Sequence, residues 1–127
     1  MNREPAPERI KHLEPHQIFV FGSNARGRHW AGAAAYAWRR FGAKWGEGHG
    51  QHGASYGIDT MSGDRTLAEE TAKFLDYAKK HPELEFLLTP IGCGIAGRTP
   101  AQVAPHFAGA PSNVRLPGSF LAELSTR

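Results

Sequence analysis

The pattern of apolar positions along the chain predicts strands that alternate with helices. Near-continuous apolar runs at 17–22 and 85–91 are typical of strands that are buried on both faces. Another strand is expected at 54–60, although Gly57 weakens it, and a short last strand at 113–116. Strands and helices in alternation favour a parallel or mixed sheet that is covered on both faces.

Helical segments are predicted between and after these strands. They are expected over about 29–41, from Thr66 through Lys80, from Thr99–Pro100 onward, and over 119–124. The second segment starts with the pattern of a capping box, Thr66 and Glu69, and its apolar positions then fall on one helical face. Residues 42–53 contain five glycines and no periodic pattern, so a mobile loop is expected there.

Length and composition indicate one folded domain. The chain has 127 residues, of which 40% are hydrophobic and 21% charged, and these values exclude a disordered chain and a membrane protein. Residues 1–16 are expected to form an N-terminal tail or irregular segment, because Pro5, Pro7 and Pro15 oppose regular structure. Residues 17–127 are expected to form a single domain.

The single cysteine, Cys93, excludes an intrachain disulfide and a multi-cysteine zinc site. A lone thiol suits a reducing compartment, and the first residues alternate charge with proline where a signal peptide would need an apolar stretch. A cytoplasmic protein without a membrane partner is therefore expected. His49 and His52 could supply two metal ligands, but zinc generally requires three or four, so neither a metal site nor a cofactor is expected.

Positive charge is concentrated in the first half of the chain. Residues 1–63 contain eight Lys or Arg and five Asp or Glu, which accounts for the whole net charge of +3. No acidic residue lies between Glu14 and Glu47, whereas this interval contains five cations: Arg26, Arg28, Arg39, Arg40 and Lys44. Such a field attracts an anionic ligand, and a solvated basic helix face is the alternative interpretation.

Two apolar strands run directly into glycine-rich loops, at 22–28 and 92–97. Ligands of open α/β sheets bind at the carboxyl ends of the strands, so we expect the two loops to meet. Glycine-rich backbone and a helix N-terminus together favour a diphosphate. The phosphate-loop order of nucleotide hydrolases is absent, and a dinucleotide fingerprint at 92–97 lacks the long helix that should follow, because Thr99–Pro100 interrupts it.

The order of several motifs resembles that of the macrodomain family. The motifs are IFVFGSN at 18–24, GAA at 32–34, FG at 41–42 and TPIGCGIAG at 89–97, and the similarity covers roughly residues 17–107. It is nearest to the small macrodomains of the terminal ADP-ribose glycohydrolase subfamily. The resemblance implies a three-layer α/β/α sandwich with a mixed, mostly parallel sheet, which binds ADP-ribose or a related nucleoside diphosphate derivative through both loops.

Candidate ligand-binding residues lie in both loops. By position, the resemblance assigns Asn24, Gly32 and Ala33 to the first part of the site, and Gly92, Cys93, Gly94, Ile95, Ala96 and Gly97 to the second. The first loop's own sequence adds Gly22, Ser23, Arg26 and Arg28. Arg98, next to the second loop, is a further candidate for a phosphate contact.

The catalytic residues that the resemblance implies are not matched. The glycohydrolases use a lysine after the second strand and an aspartate after the Ile-Gly-Cys-Gly motif, and the corresponding positions here are Thr60 or Met61, and Ala96. If the chain hydrolyses an ADP-ribosyl bond, His29 and Asp59 are the candidate catalytic residues, since both are expected near the cleft.

Three functions therefore remain open: an ADP-ribosyl hydrolase, a non-catalytic reader of ADP-ribosylation, and a basic RNA- or DNA-binding module. The expected partners are ADP-ribose or an ADP-ribosylated macromolecule, with nucleic acid as the alternative. The last function would use the cations of 26–44 together with exposed aromatic residues.

Several side chains have two interpretations. His29 either contacts the ligand or faces solvent at a helix start, and Cys93 is either a structural thiol or a nucleophile. Four aromatic residues could stack on a base: Trp30, Tyr36, Trp38 and Trp45. The first three are expected in the core instead, because aromatic residues of such a helix usually pack there, whereas Trp45 lies in a loop.

Overall fold

The structure, a computed structural model that describes residues 4–125, is built on a five-stranded sheet. The strands are β1 (Gln17–Ser23), β2 (Gly50–His52), β3 (Ser55–Asp59), β4 (Glu85–Leu88) and β5 (Val114–Arg115). Their order is β2-β3-β1-β4-β5, in which β2 is antiparallel to β3 and all other neighbours are parallel. The predicted α/β fold with a mixed, mostly parallel sheet is confirmed. Residues 1–3 and 126–127 of the predicted segments lie outside the described residues.

Within residues 4–125, four α-helices connect and follow the strands: α1 (Gly32–Arg40), α2 (Asp64–Lys80), α3 (Pro100–Val103) and α4 (Gly118–Ser125). A 3-10 turn, Ala104–Phe107, continues directly from α3. Thr99 caps α3 as predicted, because its hydroxyl accepts a hydrogen bond from the Gln102 amide and its own amide donates to the Gln102 side chain. Within the described residues, no helix has the length and apolar content needed to cross a membrane.

Strand β1 is buried on both faces, as its apolar run predicts. Ile18 and Val20 belong to an apolar cluster that includes the inner face of α2, whereas Phe19 and Phe21 belong to a second cluster that includes α1. All four side chains are at most 3% exposed. This alternation follows from the two-residue period of a strand and leaves the end of β1 between two packed layers of side chains.

Helix α2 packs with the predicted face but starts earlier than predicted. Its buried residues are Leu67, Thr71, Phe74 and Ala78, and the helix ends at Lys80. The expected capping box at Thr66 is wrong, because the helix already begins at Asp64 and has no side-chain cap. Gly63 allows the helix to begin at Asp64, because its φ of 96° is a conformation that residues with side chains rarely adopt.

The stretch at 42–53, for which a mobile loop is expected, contains the edge strand β2, and its two ends are close together. The Ala54 amide donates to the Phe41 carbonyl at 2.9 Å, and a Cβ atom on Gly53 would lie 3.0 Å from the Gly42 Cα atom. The glycines therefore allow a close backbone approach rather than disorder.

Residues 4–16 contain no helix or strand, yet they pack against the domain. Ala6 and Ile10 are buried in the cluster on the α1 side of the sheet. The Ala6 amide donates to the Leu116 carbonyl at 2.9 Å, and the Arg115 guanidinium donates to the Pro5 carbonyl at 2.7 Å. This segment therefore contributes one wall to the surface beside α1.

Candidate functional site

The loops after β1 and β4 line one cavity of about 590 Å³. It lies at the carboxyl ends of β1, β3 and β4, where parallel strands of an α/β fold hold their ligands. The lining residues come from four segments: Gly22–Arg26 with Arg28 and Trp30, Ala31–Ala34, Thr60–Met61, and Thr89–Gly92 with Gly94–Ala96. The two glycine loops that the sequence singles out thus share one hollow.

The first loop is held in shape by Asn24. Its side-chain carbonyl accepts from the Arg28 amide and its side-chain amide donates to the Arg28 carbonyl, both at 2.9 Å. Gly27 is required in the same turn, because its φ is 64° and a Cβ atom there would lie 2.2 Å from the Glu47 amide nitrogen. Asn24 therefore supports the loop that presents Arg26 and Arg28 to the cavity.

The cavity is positively charged. Arg26 and Arg28 both line it, and the lining formed by the described residues contains no carboxylate. The Arg28 guanidinium lies 5.6 Å from the centre of the Trp30 ring, over its face. Because no acidic side chain of the lining offsets the two guanidinium groups, the cavity favours an anionic ligand.

Backbone amides add to this positive potential. Helix α1 begins at the cavity, and its N-cap residue, Ala31, offers no side-chain cap to the amides of the first turn. In the second loop, the Gly97 amide donates to the Gly94 carbonyl and the Arg98 amide to the Gly92 carbonyl. Ile95 and Ala96 lie between these bonded residues and line the cavity. Their backbone amides have no acceptor among the described residues.

Ser23 places an unpaired hydroxyl at the cavity. Its side chain is 2% exposed and lines the cavity, and its Oγ atom has no hydrogen-bond partner among the described residues. A buried hydroxyl without a partner costs free energy, and a bound ligand oxygen would recover it. Ser23, a predicted ligand-binding residue, thus lies in the lining with a buried and unpaired hydroxyl.

His29 does not line the cavity, which contradicts its predicted catalytic position. Its side chain is fully buried, with Nε2 at 2.8 Å from the Lys44 carbonyl and 3.2 Å from the Glu47 carbonyl. The ring also contacts Phe21 and Trp45 edge to face. The alternative, a solvent-facing histidine at a helix start, is wrong as well, because the loop at 44–47 covers the ring and α1 begins three residues later.

Asp59 also lies outside the cavity lining. It is buried at the end of β3, where one carboxylate oxygen accepts from the Met61 amide at 2.9 Å and the other from the Ser62 hydroxyl at 2.6 Å. Both oxygens are thus engaged in holding the turn that carries Thr60 and Met61. The position of Asp59 supports a structural role in place of the predicted catalytic one.

Three predicted contacts of the second loop are turned away from the cavity. Cys93 packs against the apolar cluster on the α2 side, and this burial raises the pKa of its thiol, which is the opposite of activation. Gly97 closes the loop outside the lining. Arg98 forms an ion pair with Asp64 at the start of α2, so its guanidinium is already engaged.

Among residues 4–125, those that line the cavity include no carboxyl, imidazole, amine or thiol group, which are the side chains that commonly transfer protons in catalysis. Thr60, Met61 and Ala96, which the sequence resemblance predicts at the positions of the glycohydrolase lysine and aspartate, all lie in the lining. None of the three carries an amine or a carboxylate.

A larger cavity of about 1230 Å³ adjoins the first and shares Gly32, Ala33, Thr89 and Pro90 with it. Sequence reasoning missed this cavity because it assigned no function to residues 4–16, which form one wall. Aromatic and charged side chains are among its lining: Phe19, Tyr36, Arg9, Lys11, Arg40 and Glu8. The pair Tyr36 and Arg40, one helical turn apart and in cation–π contact at 5.5 Å, is a signal that the sequence does contain.

Trp30 and Trp38 are exposed, which corrects their expected place in the core. Their exposed fractions are 66% and 44%, and that of Trp45 is 45%. Helix α1 buries only small side chains, Ala34, Ala35 and Ala37, and Trp30 precedes the helix. Tyr36 alone of the three residues expected in the core packs there, against Phe19 and Phe41.

His49 and His52 do not form the start of a metal site. The His49 Nδ1 atom lies 2.5 Å from a Glu70 carboxylate oxygen, whereas the His52 ring contacts the His49 carbonyl. Across residues 4–125, no group of three or more His, Cys, Asp or Glu side chains is arranged to hold a metal ion.

No protein-family model, curated protein or solved structure matches this chain. Support for a function therefore comes from the chemistry of the two cavities and from the motifs of the sequence.

Proposed function

We propose that this protein binds ADP-ribose, or a related nucleoside diphosphate derivative, in the cavity between the loops after β1 and β4. The proposed architecture is the three-layer α/β/α sandwich of a macrodomain. One observation carries the proposal: two arginines, an uncapped helix N-terminus and a glycine-rich loop converge on one cavity, and the described residues that line it include no carboxylate. A diphosphate is the ligand group that uses all three, because it has two negative charges and accepts several hydrogen bonds.

The dimensions of the two cavities support a ligand that is longer than a diphosphate. The cavity of about 590 Å³ has the size of an ordinary small-molecule site. The adjoining cavity offers the half-buried aromatic ring of Tyr36 to an apolar ring system. A molecule with a diphosphate near Arg26 and Arg28 therefore has room for a sugar on one side and a nucleoside on the other.

The same chemistry favours binding over cleavage. Hydrolysis of an ADP-ribosyl bond requires a group that activates water or attacks the anomeric carbon, and such groups usually titrate near neutral pH. The lining offers the hydroxyls of Ser23, Thr60 and Thr89, without a base beside them in the lining. A reader of ADP-ribosylation is therefore the function that the cavity supports better than a hydrolase.

Calorimetric titration with ADP-ribose, ADP and NAD tests the proposal, with Gly94→Glu as the variant. A Cβ atom on Gly94 would meet no atom within 4 Å, and the φ of this residue is not positive, so a side chain fits without strain. The added carboxylate should repel a diphosphate and weaken ADP-ribose binding at least about tenfold.

The matched control is Gly94→Gln, which has nearly the same shape without the charge and should bind within about threefold of the wild type. Absence of ADP-ribose binding by the wild type would contradict the proposal. Equal affinity of the Gly94→Glu variant would show that the ligand lies elsewhere. Release of ADP-ribose from an ADP-ribosylated protein above the uncatalysed background would refute the binding-only part.

A further inference from the structure

Three exposed indole rings form a continuous aromatic patch beside the cavity. We call Trp30, Trp38 and Trp45 the tryptophan surface. Trp45 is its centre: its ring stacks on that of Trp30 at 5.9 Å with an interplanar angle of 14°, and it lies 5.0 Å from the ring of Trp38. Exposed apolar groups of this size in one place generally mark a binding surface.

The tryptophan surface is held in position by the buried His29. The His29 ring bonds the carbonyls on both sides of Trp45, those of Lys44 and Glu47, and its edge packs against the indole of Trp45. The Gly46 amide donates to the Gly27 carbonyl at 2.9 Å, which adds a second tie between this loop and the first glycine loop. Trp45 is therefore preorganised, and its ordering costs a partner little entropy.

Cations accompany the exposed rings. Arg28 lies over the face of Trp30, Arg39 directly follows Trp38 in the chain, and Lys44 precedes Trp45. Both Arg39 and Lys44 are exposed, and Glu47, also exposed, is the one acidic residue between Glu14 and Asp59. Arg28 thus adds a positive charge to the aromatic faces, and Arg39 and Lys44 adjoin two of the rings in the sequence.

We infer that the tryptophan surface binds single-stranded nucleic acid, with bases stacked on the indoles and phosphates next to Arg28, Arg39 and Lys44. Every base has a face that stacks on an aromatic ring, and a cationic border attracts the phosphate backbone. A duplex keeps its base faces within its own stack, so it fits this surface less well. A protein partner fits less well too, because a stable interface buries roughly 800 Å² per partner, and three indoles that are only 44–66% exposed supply less than that by themselves.

The tryptophan surface partly overlaps the site proposed for ADP-ribose. Arg28 and Trp30 belong both to the cavity lining and to the aromatic patch, whereas Trp38 and Trp45 lie outside the lining. Nucleic acid on the tryptophan surface would therefore pass the cavity entrance. Variants at Trp38 separate the two binding events.

Fluorescence anisotropy with a fluorescein-labelled ten-nucleotide oligothymidylate tests this inference, at several salt concentrations, with the same sequence in a duplex as the comparison. We expect the single strand to bind more tightly than the duplex, and Trp38→Ala and Trp45→Ala each to weaken binding roughly tenfold or more. Trp38→Phe, which retains a ring face, should bind more tightly than Trp38→Ala. Trp38→Ala should leave the melting temperature within a few degrees, since the side chain lies on the outer face of α1 and alanine favours a helix.

Four outcomes would overturn the inference: no oligonucleotide binding, equal binding of single strand and duplex, affinity that depends on salt but not on Trp38 or Trp45, or a homodimer in sedimentation that Trp38→Ala dissociates. Oligonucleotide binding without any ADP-ribose binding would support this inference and refute the proposed function. ADP-ribose binding without oligonucleotide binding would do the reverse.

Discussion

Gly22 and Gly92 bring the loops after β1 and β4 into contact through their backbones. A Cβ atom on Gly22 would lie 3.5 Å from the amide nitrogen of Gly92 and 3.2 Å from the Thr60 hydroxyl oxygen. The absence of a side chain at Gly22 thus sets how closely three strand ends approach one another. The width of the cavity depends on this approach.

Gly22→Ala should therefore push the two loops apart and weaken ligand binding. The φ of Gly22 is not positive, so the cost arises from crowding alone, which we expect to lower the free energy of unfolding by about 1–2 kcal/mol. Urea unfolding and ADP-ribose titration measure the two effects. Thr60→Ala removes the side-chain atoms nearest to the new Cβ atom. Adding Gly22→Ala to Thr60→Ala should therefore lower the free energy of unfolding less than adding Gly22→Ala to the wild type does. Full affinity in the single variant would show that this contact does not shape the site.

Arg26 and Arg28 should both contribute to ADP-ribose affinity. Replacing either with glutamine removes one of the two charges in the lining, and we expect a roughly tenfold higher Kd in calorimetry for each variant. Arg65→Gln is the control, since Arg65 is an exposed residue of α2 that pairs with Glu69 away from the cavity. Equal Kd values for all three variants would argue against the arginines as ligands of the diphosphate.

His29 should determine stability rather than chemistry. Because its ring is fully buried and bonds two carbonyls, His29→Ala leaves a void and unpaired acceptors, and we expect a loss of about 3 kcal/mol in the free energy of unfolding. Urea denaturation measures this loss. His49→Ala, at an exposed histidine with one carboxylate partner, should cost less than about 1 kcal/mol. An unchanged stability of His29→Ala would contradict the structural role.

Stability should fall at alkaline pH through Tyr56. Burial, followed by the charges of Glu70 and Tyr77, raises the pKa of the Tyr56 phenol to about 12 from an ordinary value of 10.0. The folded chain therefore holds the phenol proton more tightly than the unfolded chain. This contribution to stability is complete below pH 10 and is lost as the pH rises from about 10 to 12.

The test of this pH dependence is urea unfolding of the wild type and of Tyr56→Phe between pH 9 and about 11.5. Phenylalanine retains the ring that packs against Phe74 at 5.0 Å but carries no proton to lose. The free energy of unfolding of the variant should thus decrease less over this range. A residual decrease is expected from Tyr77, whose pKa burial also raises. Parallel curves for both proteins would contradict the assignment to Tyr56.

Elements with a strong local pattern are predictable in this chain. The apolar run that forms β1 and the helical face of α2 are both recovered, because the periods of a strand and of a helix are local properties of the sequence. The start of α2 at Asp64 is not predictable in this way, because it depends on the backbone of Gly63 and not on a side-chain cap. Strand β2 is not predictable either. Its three residues are polar or glycine and show no strand pattern, and they pair only because β3 offers an edge.

For the site, the amino-acid sequence was sufficient to identify two glycine loops at strand ends and the basic interval between Glu14 and Glu47, because parallel strands place their ends together and charge is independent of conformation. Which side chains face the cavity depended on contacts between distant residues. Arg98 pairs with Asp64, 34 positions away, and the His29 ring bonds the carbonyl of Lys44, 15 positions away. Such contacts form only when the chain is folded. Local patterns therefore could not reveal that Arg98, His29 and Cys93 turn away from the cavity, or that Trp30 and Trp38 stay exposed.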